Sequence, residues 1–248
     1  MADMAAIAII PARYASTRLP GKPLLAETGK PMIQHVVEAV GGARRIQRVV
    51  VATDDDRIAA AVTAFGGLAV MTRKDHPCGT DRINEAADKL GLGDGDIVVN
   101  VQGDEPEMPP ACIDTLVDLL ADSQDPMATL ATPLAAAQAA DPNKVKVVRD
   151  SAGRALYFSR AAIPHDRDGT PRPGYLLHLG IYAYRRAFLR LFASLSPTPA
   201  EQAEKLEQLR ALEHGHRILV GVVDYHGRGI DTLEDYAAFV RQMRGGTS

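Results

Sequence analysis

A cluster of cations follows the first apolar run of this chain and is the first feature that could do chemistry. The stretch "IIPARYASTRLPGKPL", residues 9–24, carries Arg13, Arg18 and Lys22, with Ser16 and Thr17 between the arginines. It lacks the glycine pattern of a dinucleotide loop, and its Gly-Lys pair is followed by proline rather than by the Ser or Thr of a P-loop. Side-chain cations can instead hold phosphate oxygens at the carboxyl end of a strand. The stretch therefore predicts a triphosphate-binding loop, with solvated surface charge as the alternative.

Two acids follow another apolar run, in "VVNVQGDEP". Gln102, Asp104 and Glu105 come directly after the predicted strand, where side chains face the ligand crevice of an open α/β sheet. A hard divalent cation that bridges phosphate oxygens needs one or two oxygen ligands from the protein. Asp104 is therefore the first candidate metal ligand, whereas Glu105, ahead of a proline, is also explained as a turn acid.

A third acid lies in "GRGIDTLEDY", just before the last predicted helix. Asp231 and Thr232 are ordinary helix-capping residue types, and Thr232 with Asp235 resembles a capping box. Across a cleft from Asp104, however, Asp231 would supply the second carboxylate for a magnesium ion. Both interpretations stay open at this point.

Further polar segments carry weaker signals. "MTRKDHPCGTDRI" places Arg73, Thr80 and Arg82 in a polar turn that suits a nucleobase, an acidic substrate or a solvated loop. The three acids at 54–56 suit the N-terminus of the helix that follows them, because its dipole favours negative charge there.

Four other polar residues have structural explanations when they are taken alone. Arg160 and His178 adjoin strand-like apolar residues, where a single His is more often a structural hydrogen-bonding group than a catalytic base. Glu207 and Gln208 lie in "AEQAEKLEQLRALEHG", which predicts one charged surface helix.

The surrounding elements alternate in a way that is typical of βαβ units. Strand-like "AIAII", "RVVVATD", "LAVMTR" and "DIVVNVQ" are each followed by an amphipathic helical segment. The later runs "MATLATPL", "KVKVVRD", "ALYFSR" and "LHLGIYAYRR" follow one another closely. We expect one domain of residues 1–248, a doubly wound α/β sheet with a β-rich excursion at about residues 127–200.

Composition excludes several classes. With 248 residues, of which 46% are hydrophobic and 24% charged, the chain can bury a substantial core. A net charge of -3 argues against a nucleic-acid partner, and no apolar run is long enough for a membrane span. Two distant cysteines, Cys78 and Cys112, favour a reducing compartment, so we expect a cytoplasmic protein. His214 and His216 lack a third ligand for zinc, and no G-x-S-x-G elbow is present.

Taken together, these motifs resemble the sugar-activating nucleotidyltransferases, and within them the family of 3-deoxy-manno-octulosonate (Kdo) cytidylyltransferases, or CMP-Kdo synthetases. The resemblance covers nearly the whole chain, in the family's order. It rests on "IIPARYASTRLPGKPL", "VVVATDD", "GTDRI", "VVNVQGDEP", "NKVKVV", "ALYFSRAAIP", "HLGIYAYR", "EKLEQLR" and "GIDTLEDY".

The resemblance implies a Rossmann-like three-layer nucleotidyltransferase fold whose members commonly pair as homodimers through the β-rich excursion. The implied reaction joins CTP and Kdo into CMP-Kdo and pyrophosphate for lipopolysaccharide biosynthesis, with Mg²⁺ required. Two alternatives stay open: the same chemistry on another acidic sugar, such as 8-amino Kdo or a nonulosonate, and a regulator that binds CTP without turning it over.

The resemblance also implies roles for individual residues. The catalytic group combines two triphosphate-binding cations, Arg13 and Lys22, with two magnesium carboxylates, Asp104 and Asp231. The other nucleotide-binding residues are Arg73, Thr80 and Gln102. The residues that line the sugar-acid site are Gln102, Arg160, His178, Glu207 and Gln208.

Two positions depart from the family pattern. Cys78 stands where the family usually has Ser before Gly-Thr, and a thiol is a weaker hydrogen-bond partner than a hydroxyl. His165 stands where tryptophan is common after Ile-Pro. We therefore expect the nucleotide contact at Cys78 and the loop at His165 to differ from those of the family.

Overall fold

The computed structural model describes residues 5–15, 19–167, 174–227 and 229–245. Within these ranges, nine strands form one sheet and eight α-helices accompany it. The strands are β1 (Ala6–Ala12), β2 (Arg48–Thr53), β3 (Leu68–Met71), β4 (Ile97–Asn100), β5 (Met127–Leu134), β6 (Lys146–Arg149), β7 (Ala155–Ser159), β8 (Tyr175–Arg185) and β9 (Ile218–Val222). The helices are α1 (Met32–Gly41), α2 (Asp56–Ala64), α3 (Gly79–Lys89), α4 (Pro110–Ala121), α5 (Arg186–Ser194), α6 (Pro199–Glu204), α7 (Gln208–Glu213) and α8 (Leu233–Gly245).

The central sheet has the strand order β3-β2-β1-β4-β8-β5-β9, and only β8 runs antiparallel to its neighbours on this path through the described residues. Helices cover both faces. Side chains of α1, α2 and α4 pack on one face, and side chains of α3, α5 and α7 pack on the other. Strand β1 alternates between them: Ala8 and Ile10 belong to the first core and Ile7 and Ile9 to the second. The predicted three-layer α/β fold is confirmed.

The ligand crevice is expected at the carboxyl ends of β1 and β4. Strand β1 pairs with β2 on one side and β4 on the other, with Ile9 opposite both Val50 and Asn100. After β1, strands β2 and β3 are added on one side of it and β4 is added on the other. The gap between β1 and β4 is therefore a topological switch point. The loop after β4 lies directly on the end of β1, because a Cβ on Gly103 would come 3.1 Å from the Pro11 carbonyl oxygen.

The segment 127–200 contributes both to the central sheet and to an outer ribbon. Strands β5 and β8 lie in the central sheet, whereas β6 and β7 form an antiparallel ribbon that joins β8 through the pair Lys146 and Leu177. The single domain with a dimerisation excursion stays a prediction. Among the described residues, no helix combines the length and apolar character that crossing a membrane requires.

The prediction of one continuous helix over residues 200–215 is wrong. Helix α6 ends at Glu204, Lys205 adopts a left-handed conformation with φ 54°, and α7 begins only at Gln208. Arg160 Nε donates to the Glu204 carbonyl oxygen at 2.7 Å. In a continuous helix that carbonyl would accept from the Gln208 amide. The tertiary contact therefore accompanies a break that sequence periodicity does not reveal.

The acids at 54–56 do not share one capping role. Asp55 caps α2, since its Oδ1 accepts from the Arg57 amide at 3.0 Å. Asp54 instead accepts from Arg82 Nη2 at 3.0 Å, and Arg82 is fully buried. The interpretation of Arg82 as a solvated or substrate-binding residue is thereby replaced by a structural one.

We predict that Asp54→Ala lowers the free energy of unfolding by about 3 kcal/mol, because it leaves the buried Arg82 charge without its carboxylate. Urea denaturation measures this loss. Asp56→Ala is the matched control, since Asp56 is exposed, and its effect should stay within about 0.5 kcal/mol. Equal effects of the two substitutions would contradict a structural role for the Asp54 pair.

Candidate active site

Lys22 meets two carboxylates at the carboxyl ends of β1 and β4. Its Nζ donates to Asp104 Oδ2 at 2.9 Å and lies 3.5 Å from Asp231 Oδ1. It also donates to the Ile230 carbonyl oxygen at 2.8 Å. Only 13% of the Lys22 side chain is exposed, so the surrounding protein partly shields these contacts from solvent. Three of the predicted catalytic residues therefore converge on one point.

The segment before α8 brings Asp231 to this point without using it as the cap. Thr232 Oγ1 accepts from the Asp235 amide at 3.1 Å, and the Thr232 amide donates to Asp235 Oδ2 at 2.9 Å. This reciprocal pair has the form of a capping box. The Ile230 amide donates to the Asp104 carbonyl oxygen at 2.9 Å. Asp231 is thus held next to the loop that carries Asp104.

Glu105 links the loop after β4 to the segment between β9 and α8, a role that the sequence analysis did not predict. Its Oε2 accepts from the Tyr225 hydroxyl at 2.7 Å. Burial raises the pKa of Glu105 to about 7, although the hydrogen bond from Tyr225 opposes the rise. The only sequence signal was a second acid beside Asp104, and nothing in the sequence identified Tyr225 as its partner.

Asp104 and Asp231 have the donor chemistry that Mg²⁺ requires. Both offer carboxylate oxygens, the hard ligands that this ion prefers, and both lie within reach of one cationic nitrogen. No group of three or more His, Cys, Asp or Glu residues that could hold a metal occurs among the described residues. The pair therefore fits an ion that shares its remaining ligands with substrate and water.

The other predicted nucleotide residues make separate contacts, and not all of them lie at the Lys22 cluster. Arg13 Nη2 donates to the His76 carbonyl oxygen at 2.8 Å, which links the end of β1 to the turn before α3. Gln102 Nε2 donates to Asn100 Oδ1 at 3.2 Å. The Arg73 side chain is 68% exposed, and its Nε lies 3.5 Å from Asp75 Oδ1, so the structure does not bring it to the Lys22 cluster. Three predicted loop residues, Ser16, Thr17 and Arg18, lie outside the described residues.

Thr80 and Glu207 meet directly, although the resemblance assigns them to different substrates. Thr80 Oγ1 donates to Glu207 Oε2 at 2.9 Å, and Cys78 Sγ lies 3.0 Å from Glu207 Oε1. Burial raises the pKa of Glu207, and these two hydrogen bonds oppose the rise. Burial also raises the pKa of Cys78, so its sulfur acts as a thiol donor. The helix break before α7 is what places Glu207 against the start of α3.

The remaining predicted sugar residues are His178 on β8, Gln208 at the start of α7 and Arg160 just after β7. His178 contacts Phe158 and Tyr182, with ring centroids 4.9 and 5.5 Å apart respectively. Burial raises the pKa of Tyr182, and the Glu207 carboxylate adds to the rise. Gln208 is 4% exposed, and its buried Nε2 has no hydrogen-bond partner among the described residues. Arg160 Nη1 donates to the Pro142 carbonyl oxygen at 2.9 Å.

Comparison with known proteins shows the family to which this chain belongs. The family model described as cytidylyltransferase matches residues 7–218. The chain belongs to the cytidylyltransferase family. A curated relative, 3-deoxy-manno-octulosonate cytidylyltransferase of Syntrophobacter fumaroxidans, is 55% identical over 240 residues, which cover 96% of each chain.

Solved structures extend the comparison of this cytidylyltransferase. CMP:2-keto-3-deoxy-manno-octonic acid synthetase complexed with CTP matches with a TM-score of 0.92 and 46% identity, over 98% of this chain and 99% of the other. A cytidylyltransferase from Leptospira borgpetersenii matches with a TM-score of 0.65 and 19% identity, over 99% of this chain and 89% of the other. The last similarity concerns the fold alone.

We predict that His178 makes the stability of this cytidylyltransferase fall on acidification. Burial lowers the pKa of His178 from 6.5 to about 3, and its ring neighbours Phe158 and Tyr182 carry no charge. Between these pH values the unfolded chain binds a proton that the folded chain does not. The free energy of unfolding therefore decreases as the pH drops below 6.5, by at most about 1.4 kcal/mol per pH unit from this group.

Urea denaturation at about pH 7 and about pH 5.5 measures this dependence. His178→Gln should lose less stability between the two conditions than the unsubstituted chain. His226→Gln, at a side chain that is 87% exposed, should behave like the unsubstituted chain. An unchanged pH dependence in His178→Gln would show that the ring does not stay neutral in the folded state.

Proposed function

We propose that this cytidylyltransferase transfers the cytidylyl group of CTP to Kdo, which gives CMP-Kdo and pyrophosphate. The observation that carries the proposal is 55% identity to a 3-deoxy-manno-octulosonate cytidylyltransferase across 96% of both chains. The convergence of Lys22, Asp104 and Asp231 supports the chemistry, because nucleotidyl transfer needs a cationic loop and a carboxylate pair at one point.

In this reaction the protein chiefly positions the reactants and neutralises charge. The sugar hydroxyl attacks the α-phosphate in line with the leaving pyrophosphate. Lys22 and Arg13 offset the charge that grows on the pyrophosphate. Asp104 and Asp231 would hold Mg²⁺, which when bound would neutralise phosphate charge and lower the pKa of the attacking hydroxyl. The switch point between β1 and β4 provides the crevice that the triphosphate needs.

The acceptor occupies the side of the crevice formed by β8 and α7. Arg160 offers a cation for the sugar carboxylate, and the buried Nε2 of Gln208 offers a hydrogen-bond donor. Gln102 would contact both substrates, and its Cγ lies beside β8, 4.0 Å from where a Cβ on Gly180 would lie. Arg73 and Thr80 would contact the cytidine.

The deciding experiment is pyrophosphate release in the presence of Mg²⁺. We expect release with CTP and Kdo, and much less with UTP and Kdo. Faster release with 8-amino Kdo or a nonulosonate, at fixed CTP, would assign the enzyme to that acceptor instead. If no 2-keto sugar causes release although CTP binds, the chain is a nucleotide-binding regulator and the proposal is wrong.

Asp104→Asn is expected to lower turnover by about a hundredfold or more, because it removes a preorganised electrostatic contact worth about 3 to 4 kcal/mol. Initial rates at saturating Mg²⁺, CTP and Kdo measure the loss, and circular dichroism reports the fold. Asp118→Asn on α4 makes the same change at a partly exposed surface ion pair and should leave the rate unchanged. A normal rate in Asp104→Asn would remove this residue from the metal site.

The homodimer is also part of the proposal. Two large apolar side chains on the outer strand β7 are exposed, Leu156 at 61% and Tyr157 at 37%, and such side chains favour an interface. Light scattering after size exclusion should give twice the chain mass, and Leu156→Glu should shift it towards the monomer. Met243→Glu on α8, another exposed apolar position, is the control. Cytoplasmic location and a place in lipopolysaccharide biosynthesis remain predictions.

A further inference from the structure

Thr129 on β5 carries a buried hydroxyl to which the proposed reaction assigns no role. It is fully buried, and its Oγ1 lies close to three polar atoms of β8. The distances are 3.0 Å to His178 Nε2, 2.7 Å to the Ile181 carbonyl oxygen and 3.1 Å to the Leu179 carbonyl oxygen. One side chain of β5 therefore contacts a candidate sugar residue and the backbone beside it.

A bulge in the strand pairing creates this arrangement. Thr129 pairs with Tyr182, whereas the next residue, Leu130, pairs with Leu179. Strand β8 therefore has extra residues opposite this step of β5, and the ladder is locally disrupted. At this disruption the carbonyl oxygens of Leu179 and Ile181 both lie within hydrogen-bond distance of the Thr129 hydroxyl.

Counting hydrogens assigns the direction of each bond. A hydroxyl has one hydrogen to donate, and carbonyl oxygens can only accept. Thr129 Oγ1 lies 2.7 Å from the Ile181 carbonyl oxygen, a contact that would be repulsive without a hydrogen between the two oxygens, so the Thr129 hydrogen goes to Ile181. The contact with His178 is then a bond in which the ring Nε2–H donates to Thr129 Oγ1.

The ring has the surroundings of a neutral group held in one orientation. Phe158 lies edge-on to the ring, and Tyr182 lies tilted against it. Burial lowers the pKa of His178 to about 3, so the ring carries a single proton near neutral pH. With that proton on Nε2, Nδ1 carries a lone pair.

We propose that Thr129 is a positioning residue that fixes the Nε2–H tautomer of His178, so that Nδ1 accepts a hydrogen bond from a hydroxyl of the sugar acceptor. The inference rests on the proposed function for the identity of the acceptor, but the tautomer does not depend on it. An acceptor nitrogen cannot bind a carboxylate, so the sugar carboxylate is left to the cation Arg160. An amine also donates hydrogen bonds, so this contact by itself does not separate Kdo from 8-amino Kdo.

Nitrogen-15 NMR of histidine-labelled protein tests the tautomer without turnover. In the unsubstituted chain, the His178 signals should be those of a protonated Nε2 and an unprotonated Nδ1. Thr129→Val should shift this pattern towards a mixture of tautomers, and Thr129→Ser should retain it. Thr132→Val removes another buried hydroxyl of β5 and should leave the His178 signals unchanged.

Kinetics test the consequence for the sugar. Thr129→Val should raise the KM for Kdo about three- to tenfold, the effect of one lost neutral hydrogen bond, with the KM for CTP unchanged. Thr129→Ser should restore the KM for Kdo, which a merely structural defect in Thr129→Val would not predict. If Thr129→Val does not fold, the unsubstituted chain and Thr129→Ser still report the tautomer and the KM.

The outcomes separate this inference from the proposed function. A protonated Nδ1 in the unsubstituted chain, or an unchanged KM for Kdo in folded Thr129→Val, would overturn the inference and leave the reaction standing. Absence of pyrophosphate release with every 2-keto sugar would overturn the proposed function and with it the sugar contact. In that case the NMR experiment would still decide whether Thr129 fixes the tautomer.

Discussion

Charge compensation between one ammonium and two carboxylates organises the candidate active site. Asp104 follows β4 and Asp231 precedes α8, and two carboxylates that approach each other repel unless a cation lies between them. Lys22 supplies that cation and also binds the Ile230 carbonyl oxygen, so it joins three segments that are distant in the chain. A divalent cation would also offset the repulsion between the two carboxylates. The same pair of acids can therefore pair with the cationic loop or hold a metal ion.

The break between α6 and α7 has a comparable importance for the acceptor side. It places Glu207 at the start of α7, where Thr80 and Cys78 can bind its carboxylate. The segment expected to contact cytidine and the segment expected to contact the sugar thus share a hydrogen-bond network. Both Glu207 carboxylate oxygens already accept hydrogen bonds, so a substrate that replaces one of these donors must also satisfy the oxygen it leaves.

Much of the fold could be predicted from local pattern. Continuous apolar runs indicated strands covered on both faces, and the structure places β1, β2 and β4 between two helical layers. The errors came where a distant residue competed with local preference. Arg160 takes the Glu204 carbonyl and the helix ends there, and the buried Arg82 pairs with Asp54, which the sequence offered as a cap. Periodicity describes one segment at a time and cannot include such contacts.

By itself, the sequence determined which chemical groups are present. It also determined that Arg13, Lys22 and Asp104 follow the ends of apolar strands, because hydrophobic runs and the residues after them are local properties of the chain. The meeting of Lys22 with Asp231, of Glu105 with Tyr225 and of Thr129 with His178 was decided only by the tertiary structure. These pairs depend on strand order, on a bulge in β8 and on the path of the chain before α8. Such features arise when distant segments pack together, and no single segment encodes them.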